Sequence, residues 1–195
     1  MNDLMELARK NEREARSIVQ ELGIEQAWQD VGGKANLVGS LRCGLLMKHL
    51  DIDFHIYTDG LDVAKSFQAV AKIAAHPNVT RLTYSNLMDT YEHCLEWHLW
   101  YRVSEEREWQ IDMIHILKGS EFDGVFEAVA ERIFAALTPE TRPTILRLKY
   151  ETPDDEKIMG IAYYMAVLRD GVRSYEAFTK WREETHLDGI ILWKP

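Results

Sequence analysis

The octapeptide DIDFHIYT, residues 51–58, alternates strictly between polar and apolar side chains, and it constrains the chain more than any other stretch. Residues two apart on a strand share a face. The pattern therefore predicts a strand with Ile52, Phe54 and Ile56 on one side and Asp51, Asp53, His55 and Tyr57 on the other. It also raises a difficulty, because two carboxylates side by side on one sheet face repel each other. Open solvent or a bound cation has to offset that cost.

The flanking sequence supplies a sheet for this strand to join. KANLVG reads as a short buried strand, and Ser40 begins a brief helix ending near Lys48. LDVAKSFQAVAKIAAH is an amphipathic helix closed by Pro77 and Asn78, and VTRLTYS is a further strand. CLEWHLWYRV and EWQIDMIHIL, separated by the polar SEER, form a hairpin whose aromatic and β-branched content favours strand. Helical spacing marks residues 2–22, stopped by Gly23, and a short IEQAW helix precedes the turn at Gly32-Gly33. The last third is helical. FDGVFEAVAERIFAAL stops at Thr138-Pro139; a second helix is expected from Thr152, as N-cap before Pro153, to Asp170-Gly171; a third runs from Ser174 to about His186. The expected fold is α/β (α+β): a mixed sheet core over 1–120 with flanking helices, and a helical segment over 121–195 packed on it as one continuous unit.

Composition narrows the partners. A net charge of −9 argues against a general nucleic-acid binder such as a DNA-binding protein, since phosphate contacts need basic surface. No apolar run approaches the about 20 residues a membrane-spanning helix needs. Two cysteines, Cys43 and Cys94, form no C-x-x-C unit, and the N-terminal MNDLMELARK is no signal peptide, so a cytoplasmic setting is expected.

Three features belong together. Gly39-Ser40 lies between a strand and a helix, where free backbone N–H groups favour phosphate. Asp51 and Asp53 follow on the next strand, and Asp112 stands among apolar residues in the second hairpin arm. Three carboxylates on neighbouring strands are suited to hard divalent cations. The order VGS, the spacer LRCGLLMKHL, DIDF and the later IDMI resembles the nucleotidyltransferases of the DNA polymerase β superfamily. In its hairpin it resembles the small lincosamide- and aminoglycoside-modifying members most. The similarity covers residues from about 34 to 117.

That resemblance implies an Mg²⁺-dependent enzyme that transfers a nucleoside monophosphate, AMP from ATP, to a hydroxyl on a small molecule in preference to a protein. Asp51, Asp53 and Asp112 would hold two Mg²⁺ ions, with Mn²⁺ as a substitute, and Asp112 would help deprotonate the acceptor. Gly39 and Ser40 would contact the nucleotide phosphates, with Arg42 and Lys48 close enough in sequence to bind triphosphate or simply to be solvated. The alternative is a catalytically inactive module of the same fold that binds a nucleotide or partner protein. It draws on Leu50 and Cys43, which stand where many minimal members carry Ser and Arg. His55 reads as substrate contact or half-buried core, and His98 and His115 as structural. The hairpin tryptophans read as core or as a stacking wall. Tyr150, Glu151, Tyr163 and Tyr164 read as tail residues that close over substrate or only pack.

Overall fold

Residues 2–195 are described by a computed structural model. Five strands form one mixed sheet: β1 (Lys34–Leu37), β2 (Asp51–Thr58), β3 (Val79–Asn86), β4 (Cys94–Ser104) and β5 (Arg107–Leu117), in the order β1-β2-β5-β4-β3. The central pair β2–β5 is parallel and the other neighbours are antiparallel. Alternation in DIDFHIYT is realised as expected, with Ile52, Phe54 and Ile56 fully buried. They share a core with Trp97, Leu99, Trp109, Ile111 and Met113 of the hairpin.

Helices α1 (Asn2–Leu22), α2 (Ile24–Gln29) and α4 (Val63–Ala74) cover that apolar face. Asp62 caps α4 by accepting from the Lys65 backbone N–H. A second apolar core lies among helices: α5 (Val125–Ala136), α6 (Thr141–Glu151), α7 (Gly160–Tyr164) with its π-helical continuation Met165–Arg169, and α8 (Tyr175–Glu184). Cys43, Leu45 and Met47 join this core, so the chain between β1 and β2 threads into the helical side before returning to the sheet. Among the described residues no helix is long and apolar enough to cross a membrane.

Three local expectations are corrected. The helix expected from Ser40 to Lys48 is a single turn, α3 (Gly39–Arg42), because Gly44 takes a left-handed φ of 67° and the chain leaves the helix to bury Leu45, Leu46 and Met47. The TRPTILRLKYE stretch, assigned no element from sequence, is helix α6. Thr152 closes α6 rather than opening a helix. The proline after it disfavours helical backbone at Thr152, which is extended at φ −62°, ψ 130°. Its hydroxyl donates back to the Leu148 carbonyl at 2.9 Å, and residues 153–159 form a loop before α7.

Candidate active site

The parallel pairing of β2 with β5 sets Asp53 directly opposite Asp112 and Asp51 opposite Gln110. Register partners in neighbouring strands share a face, at an interstrand spacing of about 4.8 Å. All three carboxylates therefore stand on the sheet face away from the apolar core. The short α3 approaches this face. An added Cβ on Gly39 would overlap the Asp53 carboxylate, and Gly39 itself has a φ of +63°. Asp53 accepts a hydrogen bond from the Ser40 backbone N–H.

The helical side contributes a residue that sequence reading missed. Lys149, on α6, is buried, and its Nζ donates to Ser40 Oγ at 2.7 Å and to the Leu45 carbonyl at 3.0 Å. Tyr164 is buried too, and its hydroxyl shares a 3.1 Å hydrogen bond with Ser40 Oγ. Gly160, at the start of α7, passes close to that hydroxyl, where a side chain would crowd it. Lys149 was illegible because α6 itself was not recognised. Its one signal was a lone lysine inside an apolar helical face.

Electrostatics in this cluster are dominated by burial. Burial, followed by the charges of Asp51 and Asp112, pushes Asp53 up to about 8. Burial likewise raises Asp51, against the opposing pull of Lys149. Burial lowers Lys149, while Asp51 and Asp53 pull it back toward its charged form. Lys149 is the buried cation beside Asp51 and Asp53, and the carboxyl groups of the site offer hard oxygen donors. That donor chemistry fits a hard divalent cation. As the side chains stand, no three His, Cys, Asp or Glu groups among the described residues converge to hold an ion. Asp53 is turned onto Gly39, and Asp112 Oδ1 is engaged by His98.

A cleft of about 370 Å³ opens over the site. Ser40, Asp51, Gln110, Asp112 and Lys149 line it, and the loop from Lys157 to Gly160 forms a wall. Lys48 lies before this wall, pairing with Asp154 at 2.7 Å and lying 5.9 Å from the Tyr150 ring centroid at the end of α6. Arg42 faces elsewhere: it pairs with exposed Glu131 at 3.3 Å and lines a larger cleft of about 730 Å³ that holds none of the three aspartates. That larger cleft has mixed charges, several already paired with one another, which makes it the poorer candidate for chemistry.

The remaining sequence candidates divide clearly. Trp97, Tyr101 and Trp109 are core, whereas Trp100 is partly exposed on the aspartate face with Arg81 stacked 3.4 Å from its ring centroid. His55 is buried against Phe126 and lowered to about 4 by burial. His115 is buried and bonded to Thr58, in the structural role its pattern suggested. His98, read the same way, instead touches Asp112.

No protein-family model and no curated protein matches the sequence. Solved structures do match in fold. A cytoplasmic RNA terminal U-transferase superposes with a TM-score of 0.54 at 14% identity, over 86% of this chain and 53% of that one. The Cid1 poly(U) polymerase bound to MgGTP gives 0.58 at 15% identity, over 82% and 50%. The non-canonical poly(A) polymerase of the GLD-2–GLD-3 complex gives 0.52 at 10%, over 86% and 58%. The chain thus spans about half the length of the structures it matches, and at these identities the likeness is one of fold: a mixed five-stranded sheet with flanking helices.

Proposed function

We propose that the chain is a nucleotidyltransferase that moves a nucleoside monophosphate, AMP from ATP, onto a hydroxyl of a small-molecule acceptor. The observation that carries this reading is the Asp53–Asp112 register pair, with Asp51 on the same face and Gly39-Ser40 against it. The fold likeness to transferases supports the reaction class. The acceptor is drawn as small and neutral or cationic because the chain carries −9 overall and because Glu96 and Glu108 stand on the same open face as Asp112. A polyanionic acceptor would be repelled there.

In this reading Asp51, Asp53 and Asp112 would hold two Mg²⁺ ions. When bound, Mg²⁺ supplies charge neutralisation at the transferring phosphoryl group. Rotation of the Asp53 side chain off Gly39, with no change of strand register, would bring it toward Asp51 and Asp112. Ser40 Oγ and Lys149 Nζ bind phosphate oxygens, and the wall from Lys157 to Gly160 borders the nucleotide. Asp112 accepts the proton of the acceptor hydroxyl as its oxygen forms a bond to the α-phosphorus. The bond from that phosphorus to the bridging oxygen breaks, and pyrophosphate leaves. Orientation and charge placement provide most of the acceleration.

The test has two parts: thermal shift with Mg²⁺ and each ribonucleoside triphosphate, and transfer of label from α-labelled triphosphates to a library of hydroxyl-bearing metabolites. Stabilisation by one metal–nucleotide pair together with a labelled product supports the reading. Stabilisation with no transfer to any acceptor or to water favours the inactive nucleotide-binding module. No stabilisation by any pair removes both.

A further inference from the structure

Asp112 is the most closely held of the three carboxylates. His98 on β4 is its direct cross-strand partner, and His98 Nδ1 hydrogen-bonds Asp112 Oδ1. Gln110 Nε2 donates to Oδ1 at 2.8 Å and more loosely to Oδ2 at 3.1 Å. The other ring nitrogen of His98 lies 3.2 Å from Glu96 Oε1. Oδ1 therefore has two partners and Oδ2 has one, which leaves Oδ2 the greater free capacity to accept. The imidazole in turn is fixed at both nitrogens.

We propose that His98 is a positioning residue: it pins Asp112 through Oδ1, so that Oδ2 is the oxygen left free to accept a cation, while Glu96 fixes the ring. This rests on the reading of Asp112 as the third carboxylate of the site. The physical need is specific. Asp112 is partly exposed and faces two other carboxylates, so repulsion and solvation both favour its swinging outward. Two donors on one carboxylate oppose that swing, and groups that orient metal-ligating carboxylates commonly matter 10- to about 100-fold in metal affinity. A solvated polar ladder on a sheet needs no such convergence of His98 and Gln110 on a single side chain.

The asparagine and glutamine variants separate positioning from general polarity. Asn places its amide near the Nδ1 position, whereas Gln reaches toward Nε2. Mn²⁺ is titrated by electron paramagnetic resonance in the presence of α,β-methylene-ATP, for wild type, H98A, H98N, H98Q and D112N. Wild type is expected to bind two ions and D112N one. H98A and H98Q should weaken the second ion about 10- to 100-fold, with the first ion and nucleotide affinity within about twofold, and H98N should restore the second ion to within about threefold of wild type. Equal second-ion affinity in H98N and H98Q, or a wild-type second ion in H98A, overturns the positioning role while D112N still loses an ion. If D112N binds both ions like wild type, the underlying reading of Asp112 fails, and the inference with it. Should H98A not fold, the Asn–Gln comparison decides alone.

Discussion

The carboxylate of Asp53 occupies the space that a side chain at position 39 would need, so Gly39 is tied to Asp53 by exclusion as well as by its φ of +63°. A loop carrying any other residue has to retreat from β2 or displace the aspartate.

Gly39→Ala combines left-handed strain with that overlap. Strain at such a position costs about 1–3 kcal/mol. For a chain of this size each kcal/mol lowers the melting temperature by about 2–4 °C. Differential scanning calorimetry should show a fall of at least several degrees, with loss of any Mg²⁺-nucleotide stabilisation. A variant melting with wild type would show that the close approach is unimportant.

Asp53 predicts a pH dependence with a definite sign. Its folded value, pushed up to about 8, lies above the ordinary 3.8. Between those values the native state holds a proton the unfolded chain has released, so stability falls as pH rises through that window. In EDTA, urea denaturation of wild type should show this loss from about pH 4 to about pH 8, and Asp53→Asn should flatten it and be the more stable protein near pH 8. Parallel pH profiles for the two proteins would count against the buried carboxylate as the source.

Lys149 and Arg42 are both cations near the motif turn, but they predict opposite outcomes. Lys149→Met takes the Nζ donor from the Leu45 carbonyl, leaves Ser40 Oγ with only the Tyr164 hydroxyl as partner, and removes the counter-charge of the aspartates. A loss of about 1–3 kcal/mol is expected from the unmet carbonyl alone. Arg42→Ala removes an exposed ion pair worth at most about 1 kcal/mol and commonly nothing measurable. Urea titration and the MgATP-induced thermal shift should both distinguish them, with Arg42→Ala near wild type in each.

Thr152 and Tyr163 predict an asymmetry. The Tyr163 hydroxyl donates to Thr152 Oγ1 at 2.8 Å, and Thr152 donates onward to Leu148, all in buried surroundings. Tyr163→Phe removes one donor and leaves Thr152 paired, a cost of about 0.5–1.5 kcal/mol. Thr152→Ala orphans a buried hydroxyl and the close of α6, so it should cost more, about 1–3 kcal/mol. Denaturant midpoints at equal m-values measure the difference, and a Tyr163→Phe loss exceeding that of Thr152→Ala would contradict this bonding order.

Sequence by itself determined the strand at 51–58, its inward and outward faces and the hairpin, and it singled out Gly39, Ser40, Asp51, Asp53 and Asp112 as candidates to be read together. These follow from local periodicity and from residue types whose chemistry is legible one at a time. Tertiary structure decided the rest. The hairpin pairs Arg102 with Glu108 but Ser104 with Arg107, so a bulge at Val103 shifts the register by one residue. Without that bulge Leu99, and not His98, would oppose Asp112, since a one-residue slip moves every side chain to the other face. The burial of Leu99 with Trp97 and Trp109 selects the shifted register, a choice made by packing across strands. Lys149 reaches Ser40 across 109 positions of chain only because α6 packs against the buried segment after α3. Such a contact has no local signature: what places a buried lysine beside Asp51 and Asp53 is the fold of two cores against each other, and no run of residues records it.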